Sequence, residues 1–295
     1  MQPLNELIEN HAALNTQSAE PGTLYIVPTP IGNLSDMTLR ALAILSSVDV
    51  VAAEDTRHSK RLFEHFSIHA KLISMHQHNE QQRAEMLCAR LQEGQSVALI
   101  SDAGTPLISD PGYVMVHHCR ANDVPVVALP GPCAAITALS ASGLPTDQFH
   151  FIGFLPVKQQ ALVNSLSAIA AAPMTTVCYE APRRILATIE ACCEYLHPSQ
   201  TIVLAKELSK TFERYISGSP DQVKAWLLAD EKHQKGEFVL MISPSQSGGE
   251  AMPAEAINLL QALSNELPPK KAAAIVAAHF NLKKNALYAW LMENK

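Results

Sequence analysis

The feature that most constrains the fold of this chain is a run of apolar residues that leads into a turn of small residues. Residues 97–100 read VALI, and SDAGTPLISDPG follows at 101–112. A short uninterrupted apolar run is typical of a strand covered on both faces of a parallel sheet. Ligands bind open α/β sheets at the carboxyl ends of strands, and Gly104 would let backbone approach a ligand closely. The stretch therefore predicts a ligand site, or else an ordinary strand-to-helix turn, because Asp, Ser, Gly and Pro also form turns.

Three other strand-like runs end in polar or small residues. The runs 23–27, 48–53 and 124–129 are followed by PTPIGN, EDTRH and PGPCAA. Between the first two, Leu39, Leu42 and Leu45 recur at helical spacing, and Ser35 or Asp36 could cap that helix. Strands and helices that alternate with connections this short predict a doubly wound parallel sheet. The loops at the strand ends should then share one crevice.

The length of 295 residues and the apolar content of 47% allow about two α/β domains. Residues 143–147 are interpreted as a hinge, and beyond it strands are expected at 149–154, 175–179, 201–205, 212–217 and 238–242, with helices at 158–171, 182–196 and 220–230. We predict a flexible tail (1–21), an N-terminal α/β domain (22–143), a second α/β domain of mixed sheet (144–244), a linker (245–252) and a C-terminal helical domain (253–295).

Composition excludes several classes of protein. No stretch has the apolar run of a signal peptide or of a membrane span, and the six cysteines form no C-x-x-C pair. A cytoplasmic protein with reduced thiols fits best. The spacing of His65 and His69 suggests a metal pair, but no third ligand accompanies it, so we expect solvated histidines on a helix face and no metal.

Three short helices are expected within 253–295, and the last two resemble a helix-turn-helix unit. Four lysines near the helix starts could contact nucleic-acid phosphates: Lys270, Lys271, Lys283 and Lys284. The net charge of −6 means that any such contact must come from a local cluster of this kind. A capping or dimerisation element is the alternative interpretation of these helices.

Taken together, the loops resemble those of the small-subunit ribosomal RNA methyltransferase I family, a branch of the tetrapyrrole-methylase-like, class III S-adenosylmethionine-dependent methyltransferases. The matching motifs are VPTPIGNL (27–34), AEDTR (53–57), SDAGTPLISDPG (101–112), LPGP (129–132), YEAPRR (179–184), KEL (206–208) and KGEF (235–238). The resemblance covers about residues 22–244, and the terminal helices match as well. One departure from the tetrapyrrole enzymes is AGTP at 103–106, where those enzymes have GGDP, which disfavours methylation of a porphyrinoid.

The resemblance implies two α/β domains with a cofactor cleft between them, and a homodimer that methylates the ribose 2′-oxygen of a cytidine in the decoding region of small-subunit rRNA. The implied cofactor is S-adenosylmethionine. Positions that match cofactor-contacting positions of the wider superfamily are Pro30, Ala103, Gly104, Thr105, Ile108, Cys133, Ala134, Tyr179 and Ala205.

Methyl transfer to a ribose hydroxyl needs an aligned oxygen and profits from a base that accepts its proton. The candidate bases, left unranked, are Asp55, Asp102, Asp110 and Glu180. Further candidates for contacts with RNA phosphates are Arg57, Lys60, Arg61, Arg183, Arg184, Lys206 and Lys210. Two other functions remain open at this stage: a methylase of the same fold that acts on a tetrapyrrole or a protein side chain, and a non-catalytic RNA-binding factor.

Overall fold

The computed structural model describes residues 18–245, 253–280, 282 and 284–293. Five parallel strands form the first sheet, in the order β3-β2-β4-β1-β5. Their bounds are Leu24–Ile26 (β1), Val50–Ala53 (β2), Leu72–Ser74 (β3), Val97–Ile100 (β4) and Val126–Ala128 (β5). The helices that follow these strands are Leu39–Ser47 (α1), Thr56–His65 (α2), Glu80–Gln92 (α3), Tyr113–Ala121 (α4) and Ala134–Ser140 (α5). The predicted parallel sheet is thereby confirmed.

Both faces of the first sheet are covered. Leu24 and Ile26 of β1 belong to one buried apolar cluster, whereas Tyr25 and Val27 belong to another on the opposite face. Successive side chains of a strand point to opposite faces, so a strand in this position needs apolar residues throughout. This explains why the strand sequences are continuous apolar runs rather than alternating ones.

Three local expectations were wrong. The strand β3 was not anticipated, because its three residues follow a polar, histidine-rich segment. Helix α1 is capped by the hydroxyl of Thr38, which accepts the amide of Ala41 at 3.1 Å, while the expected caps lie in a preceding 3-10 turn, Leu34–Asp36. His65 ends helix α2 and His69 lies beyond it, so the two do not share a helix face.

The second sheet is mixed, as predicted, with the order β6-β7-β10-β8-β9. Only β6 and β7 are parallel; the other pairs are antiparallel. The strands are Phe149–Phe154 (β6), Thr175–Glu180 (β7), Ile202–Lys206 (β8), Arg214–Gly218 (β9) and Phe238–Ile242 (β10). Helices Gln159–Ala170 (α6), Ile185–Tyr195 (α7) and Pro220–Ala229 (α8) contribute to the buried cluster on one face of this sheet.

Helix α5 connects the two sheets. It follows the last strand of the first sheet, yet its buried Ala135, Ala138 and Leu139 pack with Val177 and Val239 of the second sheet. The opposite face of the second sheet is therefore covered by an element from the first half of the chain. This packing brings the loop that precedes α5 close to the edges of both sheets.

The C-terminal region forms three helices, as expected: Ala254–Glu266 (α9), Pro269–Phe280 (α10) and Lys284–Glu293 (α11). They share a small apolar core that includes Leu260, Val276 and Leu287. Lys283, most of the predicted tail and most of the predicted linker lie outside the described residues. Among the residues that are described, no helix combines the length and the apolar character required to cross a bilayer.

Candidate active site

A cleft of about 490 Å³ lies where the strands of both sheets end. Residues that follow β1, β2, β4 and β5 line it from the first sheet, and residues at the ends of β6, β7 and β8 line it from the second. Strand β10 runs antiparallel to β7 and β8, so its first residues, Phe238 and Val239, reach the same edge. The crevice expected from the strand-end loops is therefore present, with a second wall from the other sheet.

Hydrogen bonds from threonine hydroxyls to backbone carbonyls hold the 101–112 loop in the cleft. The hydroxyl of Thr29 donates to the carbonyl of Ser101 at 3.1 Å, and that of Thr105 donates to the carbonyl of Pro132 at 2.8 Å. Leu107 and Ser109 both have φ of 72°, a left-handed conformation that costs a residue with a Cβ roughly 1–3 kcal/mol. Such strain persists only where the surroundings impose it, and at ligand sites it often contributes to the shape of the pocket.

An aromatic wall faces this loop from the second sheet. The phenol oxygen of Tyr179 accepts the backbone amide of Ala135 at 3.2 Å, and the ring meets Phe151 and Phe154 edge to face. Burial, and next the neighbouring Cys133, raise the pKa of Tyr179 to about 12. The phenol therefore keeps its proton at neutral pH and can donate a hydrogen bond into the cleft.

The cleft brings together most of the residues expected to contact a cofactor. Seven of them line it: Ala103, Gly104, Thr105, Ile108, Cys133, Ala134 and Tyr179. Pro30 lines a neighbouring cavity instead, and Ala205 is fully buried in the apolar cluster around α5. Neither of these two side chains borders the cleft itself.

Carboxyl groups dominate the polar lining of the cleft. Of the four candidate bases, Asp102, Asp110 and Glu180 line it, together with Glu54, which was not among the candidates. Burial raises the pKa of the Asp110 carboxyl, and the charge of Asp102 raises it further, while a hydrogen bond from Ser101 offsets part of the shift. Burial, followed by the charges of Asp110, Asp102 and Asp55, likewise raises the pKa of Glu54.

Two of the candidate bases are held by structural contacts. Asp55 caps α2 and forms an exposed ion pair of 2.7 Å with Arg57, whose hydrogen bonds keep the pKa of Asp55 well below its usual range. Glu180 accepts hydrogen bonds from the hydroxyl of Thr188 at 2.6 Å and from the amide of Ala181 at 2.8 Å. Its carboxylate also lies 3.4 Å from Arg184, so both of its oxygens already have partners.

The basic candidates divide into engaged and exposed side chains. Arg184 donates to two backbone carbonyls at 2.9 Å, Lys210 binds both Glu207 and Glu237 at 2.9 Å, and Lys206 is buried. In the part of the chain that the structure describes, the candidates with exposed side chains and no ion pair are Lys60, Arg61, Arg183, Lys270, Lys271 and Lys284. Within the described ranges, no group of three or more His, Cys, Asp or Glu residues is arranged to hold a metal ion.

Comparison with known proteins identifies the family. Residues 23–224 match the family described as Tetrapyrrole (Corrin/Porphyrin) Methylases, and residues 250–295 match the RsmI C-terminal HTH domain. The chain is 51% identical to the ribosomal RNA small subunit methyltransferase I of Escherichia coli O157:H7, over 97% of this chain and 99% of that protein. The chain belongs to the ribosomal RNA small subunit methyltransferase I family. The member from Vibrio cholerae is 53% identical, over 92% of this chain and 94% of that protein.

The structure of this family member has solved relatives of the same fold. One is a uroporphyrin-III C-methyl transferase from Thermus thermophilus complexed with S-adenyl homocysteine, with a TM-score of 0.51 over 75% of this chain and 97% of that chain. At 16% identity this likeness shows the fold alone. The expected fold class is confirmed: α/β sheets of the tetrapyrrole methylase type, followed by a C-terminal helix-turn-helix domain.

Sequence reasoning missed several residues of the cleft in this family member. Glu54 was overlooked in favour of its neighbour Asp55, although the motif that contains both was noted. Phe154 and Val239 were assigned to strands without a role in the cleft. The antiparallel direction of β10 places Val239 at the cleft, and no local pattern reports the direction of a strand in a mixed sheet.

Proposed function

We propose that this chain transfers a methyl group from S-adenosylmethionine to the ribose 2′-oxygen of a cytidine in the decoding region of small-subunit ribosomal RNA. As a member of its family, the chain is a methyltransferase of small-subunit rRNA that uses S-adenosylmethionine. The nucleotide and the ribose position are the proposed part, and the resemblance of the loop motifs supports them.

The charge of the cleft is the main observation that supports the cleft as the binding site of S-adenosylmethionine. Its described lining contains five carboxyl residues and no Lys, Arg or His: Glu54, Asp102, Asp110, Glu180 and Glu237. When bound, S-adenosylmethionine supplies an activated methyl group on a sulfonium cation. A cation is favoured in a partly buried site lined by carboxylates. The tight approach at Gly104 and the apolar wall of Phe154 and Val239 fit the remainder of such a ligand.

Asp110 is the best-placed base of the four candidates. Asp55 and Glu180 are engaged as described above, and Asp102 already accepts the amide of Asp55 at 3.1 Å. Asp110 lines the cleft and also accepts a hydrogen bond, from Ser101, but burial raises its pKa and so brings the carboxylate closer to the basicity that proton transfer at neutral pH requires. At this position the Asp110 carboxylate would accept the proton that the substrate hydroxyl loses when it takes up the methyl group. Alignment of the hydroxyl oxygen with the methyl carbon supplies much of the rate.

The proposal also covers the oligomeric state, the cellular location and the domain boundaries of the chain. We expect a homodimer that acts in the cytoplasm, with the domain boundaries given in the sequence analysis. Sedimentation equilibrium at micromolar concentration tests the dimer, and a species of 32 kDa would contradict it.

The experiment for the activity uses small ribosomal subunits from cells that lack this enzyme. The purified chain and labelled S-adenosylmethionine should place label on the rRNA, and mass spectrometry of the digested nucleosides should find 2′-O-methylcytidine. Label on a base, on a ribosomal protein or on an added tetrapyrrole, with none on a ribose, would refute the proposal. Asp110→Asn should lower the rate, whereas Asp147→Asn, an exposed carboxyl outside the cleft, serves as the control.

A further inference from the structure

A second cavity of about 330 Å³ adjoins the cleft on the side of the first sheet. The loop after β1, helix α2 and Lys210 enclose it. Four residues line both spaces: Ile31, Asp102, Ala103 and Glu237. Two molecules bound in the two spaces would therefore meet at this shared wall. Because methyl transfer requires donor and acceptor atoms in contact, the shared wall is where a substrate can reach the cofactor.

The two spaces differ in charge. The described lining of the cleft contains five carboxyl residues and no basic side chain. The second cavity shares two of those carboxyl residues, Asp102 and Glu237, but adds His58, Arg61 and Lys210. Carboxylates repel the phosphates of RNA, and basic side chains attract them. The cleft is thus suited to a sulfonium cation and the second cavity to a group that carries negative charge.

The basic groups of the second cavity differ in their freedom to bind a ligand. The ammonium of Lys210 is held by Glu207 and Glu237, at 2.9 Å each, and serves as part of the wall. His58 and Arg61 are exposed, and neither side chain forms a hydrogen bond or an ion pair with any other residue in the described part of the chain. They lie three residues apart on α2, a spacing that places them on one helix face.

The remaining lining is largely apolar and small. Leu34, Leu62 and Ile31 provide aliphatic surface, against which the face of a sugar or a base can pack. Ligand pockets range from about 300 to 1,000 Å³. A cavity of about 330 Å³ is at the lower end of this range, so it suits one nucleotide and excludes a base pair.

We propose that the second cavity holds a single unpaired nucleotide of the RNA substrate, with its phosphate at Arg61 and His58 and its ribose at the shared wall. The target nucleotide must then leave its stack or pair before methylation, as in other enzymes that take a nucleotide out of a helix. This inference rests on the proposed function, because it names where the RNA of that reaction binds.

Two variants test the charge and the shape of the cavity separately. Arg61→Gln removes a cation, and Leu34→Trp narrows the cavity without a change of charge. Both should leave the affinity for S-adenosylmethionine unchanged in calorimetry. With small ribosomal subunits as the probe, Arg61→Gln should raise KM about tenfold or more, the loss expected for one charged hydrogen bond. Leu34→Trp should lower kcat/KM to a similar degree.

The matched control is Lys71→Gln, which removes an exposed basic residue beside strand β3 that lines neither space. It should leave KM unchanged. If Leu34→Trp turns over normally, the nucleotide does not enter the cavity and the inference is refuted. If Arg61→Gln behaves like Lys71→Gln, the phosphate contact is refuted. If the wild-type chain itself transfers no methyl group to the subunit, the proposed function fails instead, so the two failures are distinguishable.

Discussion

Thr29 and Gly104 exchange two backbone hydrogen bonds of 2.9 Å each, one in each direction, and thereby join the loops that follow β1 and β4. These strands are neighbours in the first sheet. The pairing is an isolated antiparallel bridge beyond the parallel ladder. Gly104 has φ of +81°, and a Cβ built on it would lie 3.3 Å from the side chain of Ile31. The bridge therefore couples the shape of the cleft to the absence of a side chain at Gly104.

Gly104→Val should weaken binding of S-adenosylmethionine, because it crowds Ile31 in the lining of the cleft. The matched control is Gly94→Val: Gly94 has φ of +89°, and nothing lies within 4 Å of its added Cβ. Both variants should lose roughly 1–3 kcal/mol of unfolding free energy from backbone strain. Only Gly104→Val should change the dissociation constant in calorimetry, and equal constants for the two would contradict a cofactor site at this loop.

Glu80 should stabilise the start of α4. Its buried carboxylate accepts the amides of Gly112 and Val114 at 2.9 Å each, and Gly112 has no side chain with which to cap the helix. Glu80→Ala should lower the free energy of unfolding by about 2 kcal/mol, since it leaves two amides unpaired, one of them buried and the other half-buried. Glu80→Gln keeps an acceptor oxygen and should recover part of the loss in urea titrations. Equal stability of Glu80→Ala and wild type would refute this role.

Asp110→Asn should lower kcat by about 100-fold or more if the carboxylate accepts the hydroxyl proton. The affinity for RNA should change little, because the substitution alters the transition state rather than binding. Single-turnover assays with the assembled subunit measure this step. A rate within a few-fold of wild type would move the role of the base to another carboxyl group, of which Glu54 is the next candidate on the grounds of its position in the cleft.

The same substitution should change stability in a pH-dependent way. Burial raises the pKa of Asp110 in the folded chain above its ordinary value of 3.8, so the ionised carboxylate opposes folding at neutral pH. Asp110→Asn should therefore raise the free energy of unfolding at pH 7, and the gain should shrink to nothing as the pH falls below 3.8. Denaturant titrations across this range provide the measurement. A gain that grows on acidification would contradict the raised pKa.

The terminal lysines should contribute to RNA affinity rather than to cofactor binding. Replacement of Lys270, Lys271, Lys283 and Lys284 by Gln should flatten the dependence of log affinity on log salt, by about 0.7 to 0.9 for each phosphate that one of these lysines neutralises. The affinity for S-adenosylmethionine should stay the same. Parallel salt plots for the variant and wild type, at equal melting temperatures, would leave these helices as a structural element.

Local sequence patterns were sufficient to predict much of the fold and several residues of the cleft. The strand bounds of β4 and β10 agree with the apolar runs 97–100 and 238–242, and both strands are buried throughout. Such runs can be recognised in the sequence because a strand covered on both faces has no polar position to interrupt it. The loop at 101–112 could be expected at a ligand site because small residues after a buried strand occupy the edge of the sheet where ligands bind.

The roles of individual carboxyl groups could not be predicted from local sequence patterns. Glu54 and Asp55 are equivalent in composition and pattern, yet Glu54 lines the cleft while Asp55 caps α2 and pairs with Arg57. Glu180 is likewise a reasonable base by pattern, but in the fold Thr188 and Arg184 occupy its oxygens. Arg57, Arg184 and Thr188 lie within eight residues of the carboxyl groups that they contact, but which group they reach depends on where the strand ends and the helix begins. Which carboxyl groups line the cleft depends on loops that are distant in the chain.

The sequence by itself determined the strands other than β3, their order along the chain, the loops at the carboxyl ends of the strands in the first sheet, and the family. The tertiary structure alone decided that α5 packs on the second sheet, that β10 runs antiparallel and places Val239 at the cleft, and that Ala205 is buried in the apolar cluster around α5. The physical reason is the range of the interactions. Apolar periodicity and turn chemistry act between neighbours in the chain, whereas the packing of one sheet against a helix of the other half depends on the shape of both surfaces.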